Sequence, residues 1–412
     1  MREKKSRENE PPEYHFRSDA AFPPRCSIPT GATPVLCSVR PHLSQQETFD
    51  TMAIQMSATS HLNQGLRIFF SEFVRVSLRR PSQALFFART VLWQGRAARR
   101  RSRVAAEGLT VPPIAIFSIT NKCNLKCRGC YAQAIRGDAP DELSPGKLRQ
   151  IVSEADELGV SFFVIAGGEP LTRPEIVDIA GDFPHIIFLL VTNGLLLDAA
   201  LIQRLKTQRN TVPVLSIEGN QAETDERRGR GVHERLQAKM AELKGAGIFF
   251  SLSFTVTRTN FETVTDEPFV QRAVDDGCRL FLFLEYTPIR EGTDQWVITD
   301  VQRDAMKSLV SSFRKRFPAV FIAVPWDEEE QGGCLASGRG FVHISASGDL
   351  EPCPFAPYSD TNLLKVPFRQ ALASRFLRLM REQHSMFAET EGGCALWKQR
   401  EKVEALLDRA TV

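Results

Sequence analysis

From Pro112 onward, short apolar runs recur between longer stretches of helical period. Residues 114–119, 162–166, 186–191, 212–218, 249–256 and 280–285 are short, apolar and rich in β-branched or aromatic side chains, and they read as strands. Residues 144–158, 174–181, 198–207, 233–245 and 263–276 carry the helical period between them. Six strands alternating with helices predict parallel βαβ units with right-handed crossovers. The expected fold class is α/β, an incomplete (β/α)6 barrel of the TIM type. Ligands of such sheets sit at the carboxyl ends of the strands. The chemistry is therefore expected in the loops that follow each run.

Upstream the pattern changes twice. Residues 1–55 are rich in Pro, Ser, Arg and Thr, show no period and read as disordered, with an ordered start near Met52 or Met56. Residues 56–108 form a basic helical block. It carries Leu66, Phe69, Phe70, Phe73 and Val76, then Leu85, Phe86, Val91 and Leu92, at helical spacing. Pro81 divides it into two helices. Arginines crowd residues 67–103 against the single acid Glu72. A helix pair packed on the sheet with a solvated basic face is the plainer expectation. Peripheral contact of residues 62–107 with an anionic membrane is the alternative. Basic and aromatic residues do not interleave as nucleic-acid binding requires, so nucleic acid is not expected.

Composition narrows the picture. The 412 residues are 42% hydrophobic with a formal net charge of +3, enough for a large core. Nine cysteines at uneven spacing are too few for a disulfide scaffold and point to metal ligation in a reducing compartment. No apolar run reaches the roughly 18 residues of a membrane span. The chain reads as cytoplasmic, soluble or membrane-peripheral.

Cys123, Cys127 and Cys130 follow the first strand with no fourth cysteine or histidine near. A four-iron cluster wants four thiolates. Three would hold it and leave one iron open to a ligand that is not protein. A zinc knuckle would need a fourth ligand close by. The second strand ends in Gly167-Gly168-Glu169-Pro170, the third in Thr192-Asn193-Gly194, and the fourth in Ser216-Ile217-Glu218. Ser216 and Glu218 point to one side and suit ribose hydroxyls or a charged ligand. Each of these is turn-like alone. Their occurrence on successive strand ends points to one bound cofactor.

In these residues the chain resembles the radical S-adenosylmethionine (radical SAM) enzymes. The CxxxCxxC pattern matches Cys123, Cys127 and Cys130, and the GGEP motif matches residues 167–170. The polar fourth-strand motif matches Ser216 and Glu218, and the resemblance covers about residues 112–290, within a core expected at 109–295. It implies a [4Fe-4S] cluster whose open iron is chelated by S-adenosylmethionine, with the GGEP backbone holding the amine. It also implies reductive cleavage to a 5′-deoxyadenosyl radical that takes hydrogen from a substrate, and a reductant protein such as flavodoxin or ferredoxin. Cofactor contacts are expected from Gly167, Gly168, Glu169, Pro170, Asn193, Ser216, Glu218 and Arg228, with Arg227 beside it. The position before the third cysteine is usually aromatic in the family and is Gly129 here, which gives the adenine contact to Tyr131 instead.

Residues 296–412 are expected to hold a barrel-closing helix and a small α+β extension. A hairpin around Ser347-Gly348-Asp349 brings Cys334 and Cys353 together, and Cys394 precedes a final helix. This resembles the auxiliary-cluster extensions called SPASM or, truncated, twitch, and implies a second iron–sulfur cluster on Cys334, Cys353 and Cys394. A zinc site is the alternative for those three. His343 and His384 read as surface or hairpin histidines, and Cys278 as a buried core thiol. The expected activity is that of an oxidoreductase or transferase on a peptide, a small molecule or a lipid-like substrate. The rival is a non-catalytic iron–sulfur electron carrier or binding protein.

Overall fold

The computed structural model describes residues 63–411 apart from 64, 65, 67, 68, 79, 137–141, 330–332 and 388–393. Cys26, Cys37, Met52 and Met56 lie outside the described residues. The six expected strands form within two residues of their expected limits: β1 (Ile114–Thr120), β2 (Phe162–Gly167), β3 (Ile187–Thr192), β4 (Thr211–Ser216), β5 (Phe250–Val256) and β6 (Cys278–Glu285). Three more extend the sheet: β7 (Val320–Val324), β8 (Phe341–Ile344) and β9 (Leu350–Glu351). The order is β7-β6-β5-β4-β3-β2-β1-β8-β9, an unclosed sheet that is parallel except for the β8–β9 hairpin. The hairpin joins the core directly, because β8 pairs in parallel with β1 from Ile114↔Phe341 to Phe117↔Ile344.

Side chains alternate across each strand, so the sheet has two apolar faces. Phe117, Phe163, Phe188, Phe254 and Phe281 belong to the larger core, which also contains the inward faces of the helices. The opposite alternation places Phe162, Ile187, Leu189, Val212, Val214, Phe249, Leu280 and Val320 in a second cluster. The basic block covers that second face near the amino ends of the strands. Leu66, Phe70, Phe73, Val76 and Phe87 are all buried in it. The Phe73 ring lies 5.0 Å from Phe87 and 5.2 Å from Phe249.

The helix α1 (Pro81–Ala106) is pinned by a buried arginine. Arg101 is 1% exposed and donates to the Gly159 carbonyl, the Ser161 hydroxyl and Asn63 Oδ1. Desolvation pushes its pKa down to about 10. Gly159 has φ +99°, and a Cβ there would sit 2.7 Å from the Ala97 carbonyl, so the close helix approach requires glycine. The packed-pair expectation therefore describes the block, with Arg101 inside it. The apolar face expected to meet a membrane is spent on the core, which leaves Leu78, Leu85 and Leu92 outside among arginines. No helix among the described residues is long and apolar enough to cross a membrane.

Phe73→Ala should lower unfolding stability by about 3–5 kcal/mol through the cavity it leaves. The check is a urea titration of the full chain; an unchanged midpoint would show that the block does not plug the sheet.

Candidate active site at the carboxyl ends of the strands

The loop after β1 carries the three cysteines, and the end of β2 holds that loop in place. Gly168 N–H donates to the Thr120 carbonyl and Glu169 N–H to the Lys122 carbonyl, both at 2.8 Å. A Cβ on Gly167 would collide with the Thr120 carbonyl, and one on Gly168 with the Lys122 carbonyl. The paired glycines thus serve a close approach of backbone to backbone. Glu142 braces the same turn, accepting from Thr120 Oγ1 at 2.7 Å and from Asn121 N–H at 3.0 Å. Although burial opposes it, these bonds and nearby Lys122 hold the Glu142 carboxyl below its ordinary value. The sequence pattern gave no sign of Glu142, which lies 19 residues beyond Cys123 in the next loop.

Glu169 is 1% exposed and turns its carboxylate into the protein. It accepts from Leu171 N–H at 3.0 Å, Thr192 Oγ1 at 2.7 Å and Asn193 N–H at 2.7 Å. Desolvation raises its pKa against those bonds. Glu169 therefore ties β2 to β3. Asn193, fixed by this clamp, donates through Nδ2 to Asn124 Oδ1 at 2.7 Å, inside the cysteine loop. Pro170 opens the turn that carries Leu171.

The expected partners on β4 also converge, with a different pairing. Arg227 and Arg228 end the helix α2 (Gln221–Arg228), which has one buried residue, Thr224, and hence no apolar stripe to announce it. Both guanidiniums meet Glu218 Oε1, Arg227 Nη1 at 2.5 Å and Arg228 Nη2 at 2.5 Å. Glu218 Oε2 is buried and has no partner. Two cations on one anion leave a net positive charge, and it lies within electrostatic reach of Cys127. Arg128 N–H donates to the Arg227 carbonyl at 2.8 Å, so the loop and this helix are laced together. Ser216, the last residue of β4, is 8% exposed.

Cys123 is exposed and Cys127 and Cys130 are partly buried. Burial raises the Cys123 thiol, with Glu169, Cys127 and Cys130 adding to the rise. Burial also raises Cys127, while Arg228 and Arg227 oppose it. The three sulfurs share one loop beside the positive pair, as the ligands of an anionic cluster require.

Tyr131 is turned elsewhere than expected. Its ring lies 4.8 Å from Phe355, two residues past Cys353, so it faces the C-terminal cysteines. Gly129 is covered instead by Trp296 and by the Tyr286 hydroxyl.

The second cysteine group assembles at the far end of the sheet. Cys353 and Cys394 are buried and Cys334 partly so, within one cluster with Ala336, Phe376, Met380 and Phe387. Cys353 and Cys394 share a hydrogen bond, which holds the Cys353 proton and lowers Cys394. Burial pushes Cys334 far above its ordinary value, and Glu328 and Cys394 add to it. Desolvation raises Glu328 itself to about 7. Among the described residues no three His, Cys, Asp or Glu side chains converge as a site for a single metal ion.

His343 is a hairpin histidine, paired with Glu351 across β8 and β9, and is not at the surface. It is fully buried in β8, with Nε2 at 2.8 Å from Ser118 Oγ and Nδ1 at 2.7 Å from a Glu351 oxygen. A carboxylate at Nδ1 requires a proton there. His384 Nδ1 lies against the Arg381 carbonyl. Cys278 is the expected core thiol, fully buried and pushed up to about 12 by desolvation.

A family model described as the Radical SAM superfamily matches residues 117–273, which carry all of the strand-end motifs above. Over these residues the chain is similar to the radical SAM superfamily. Among its relatives, the AdoMet-dependent heme synthase of Methanosarcina barkeri is 26% identical over 285 residues, covering 63% of this chain and 81% of the relative. The mycofactocin maturase MftC of Mycobacterium tuberculosis is 29% identical over 266 residues, covering 60% of this chain and 66% of the relative. The solved structure of Streptococcus suis SuiB bound to S-adenosylmethionine superposes with a TM-score of 0.57 at 17% identity, covering 75% of this chain and 77% of SuiB. A radical SAM protein works with a [4Fe-4S] cluster and S-adenosylmethionine. The three-cysteine loop, the adjacent positive charge and the unpartnered acceptor of Glu218 fit both.

Gly168→Ala should leave the protein folded but strip most of the iron bound by the Cys123 loop, because the Lys122 carbonyl must move away. Iron analysis with circular dichroism of the anaerobically reconstituted variant checks this, and full iron retention would refute the docking role.

Proposed function

We propose that the protein cleaves S-adenosylmethionine reductively and uses the resulting radical to take a hydrogen atom from an organic substrate. The observation that carries this reading is the join between the cysteine loop and three strand ends, with a buried acceptor left over on Glu218. An electron carrier needs a shielded cluster. It has no use for a loop with an exposed cysteine set beside an unpartnered carboxylate oxygen.

Cys123, Cys127 and Cys130 would hold the cluster, leaving one iron for S-adenosylmethionine. Bound there, the pair supplies an electron and a 5′-deoxyadenosyl radical, and the protein supplies binding and exclusion of water. Glu218 Oε2, buried without a partner, would accept from a ribose hydroxyl. The excess charge of Arg227 and Arg228 attracts the methionine carboxylate while Glu218 Oε1 keeps both guanidiniums in position. The Gly168–Glu169 backbone and Asn193 fix the wall on the methionine side. Cys334, Cys353 and Cys394 would hold a second, auxiliary cluster, and burial among apolar side chains suits an electron store.

The substrate class follows the relatives only in outline. The name heme synthase points to a small molecule, and the structure of Streptococcus suis SuiB bound to precursor peptide SuiA to a peptide. A peptide or small-molecule substrate reaching the strand ends is the reading both support. The reductant would be a flavodoxin or ferredoxin type of protein.

Anaerobic reconstitution should load about eight irons, as two four-iron clusters. With dithionite and S-adenosylmethionine the wild type should release 5′-deoxyadenosine. Cys127→Ala should keep about half the iron and release none. Undiminished nucleoside release from that variant, or none from the wild type, would remove the catalytic assignment.

A further inference from the structure

The end of the sheet opposite the cysteine loop holds a cavity of about 340 Å³. On one side its wall is Arg80, Ser82 and Gln83, where α1 begins, and on the other Lys206, Arg209 and Thr211. Thr211 opens β4, so the cavity lies at the amino ends of the strands. Three cations line it and no acid does. Arg209 Nη1 donates to the Ser82 carbonyl at 2.9 Å, and Arg80 Nη1 to the Ile248 carbonyl at 3.4 Å. Those acceptors are neutral, so they hold the two guanidiniums at the wall without cancelling their charge.

The backbone does not cancel it either. The helices Ala199–Gln208 and Val232–Ala246 end beside the cavity, each bringing about half a negative charge. Against them stand the three cations and the start of α1, which runs for 26 residues with no acid in its first turn and no side-chain cap. The positive end of that long helix adds to the surplus. Two donors on the wall are also unused. Gln83 is 6% exposed and Thr211 3% exposed, and Gln83 Nε2 and Thr211 Oγ1 have no hydrogen-bond partner. Ser77, Gln208 and Asn210 carry unpartnered atoms too, but they do not line the cavity. The orphaned donors point to a ligand here because they coincide with space and with uncancelled positive charge.

We propose that this cavity binds a small phosphate-bearing anion. Forked guanidiniums and a helix start both suit phosphate oxygens, and the unused amide and hydroxyl donate to the same kind of acceptor. The volume is in the range of small-molecule sites and exceeds what one phosphate fills, so a diphosphate or a phosphorylated small molecule matches it better. Such an anion bridges α1 to the helix and strand opposite, and its binding strengthens the seat of the basic block on the sheet. The site is separate from the cysteine loop and does not depend on the reaction proposed there.

The test uses the full chain, reconstituted anaerobically and titrated with pyrophosphate and with inorganic phosphate at constant ionic strength. Calorimetry should show saturable binding, tighter for pyrophosphate, and saturating pyrophosphate should raise the thermal midpoint. Arg209→Gln should weaken pyrophosphate binding about tenfold, on the scale of one charge-assisted hydrogen bond. Lys206→Gln should weaken it by a smaller factor. The Lys206 side chain is exposed, so this variant decides the matter where Arg209→Gln fails to fold. Arg96→Gln removes an exposed arginine from the outer length of α1 and should leave the affinity unchanged. No saturable binding of either probe by the wild type would overturn the proposal. So would undiminished affinity in both cavity variants. Equal weakening by Arg96→Gln and Lys206→Gln would overturn it as well, because it marks a general attraction to the basic block.

Discussion

The site depends on one close contact between two stretches of backbone. The chain leaving β1 lies against the chain leaving β2 so tightly that neither Gly167 nor Gly168 has room for a Cβ. That contact sets the height and direction of the loop from which the three thiols project. Everything else at the strand ends reinforces it: Glu142 from the β1 side, Glu169 across to β3, and Asn193 back to Asn124. A cluster held by three ligands from one short loop has no sequence-distant cysteine to correct an error in that loop. Rigidity therefore has to come from main-chain contacts. They need no side chain to find its rotamer, and so cost little entropy when the loop is ordered.

The two ends of the sheet divide the labour. Near the amino ends, the basic block closes one face with phenylalanines, and the buried Arg101 there is met by the oxygens of Gly159, Ser161 and Asn63. Near the carboxyl ends lie the cysteine loop and the buried Glu218, whose Oε2 has no hydrogen-bond partner; unpartnered buried polar atoms also occur near the amino ends, at Ser77, Gln83 and Thr211.

Much of this was legible in the sequence, and the failures have physical reasons. The six strands stood out because buried parallel strands are nearly continuous apolar runs. Val320–Val324 has the same character but is short and framed by Pro318 and Pro325, which read as breakers. The helix Gln221–Arg228 buries only Thr224, so periodicity could not reveal it, although its two arginines were recognised as chemistry. The GGEP run was visible as a motif, but a motif does not say which atoms face the ligand. Its glycines turned out to serve the cysteine loop and its glutamate the protein interior. The surroundings of Tyr131 and His343, the latter in the expected hairpin, were not legible for one common reason. The partners that decide their orientation, Phe355 for one and Ser118 with Glu351 for the other, are more than 200 residues away in the sequence in the first case and divided between β1 and β9 in the second.

The hairpin that carries Cys353 is built into the core sheet, and this bears on how the two cysteine groups communicate. β8 pairs with β1, and β1 runs straight into the loop of Cys123. Between them the buried Ser118–His343–Glu351 chain links β1, β8 and β9 in the layer just below the loop. On the outer side, the Tyr131–Phe355 pair joins the end of the cysteine loop to the residues after Cys353. Both connections pass through groups with fixed packing, so the separation of the two sulfur clusters is set by sheet geometry. A flexibly tethered domain would let that distance drift. A sheet edge shared by both cysteine groups fixes it instead.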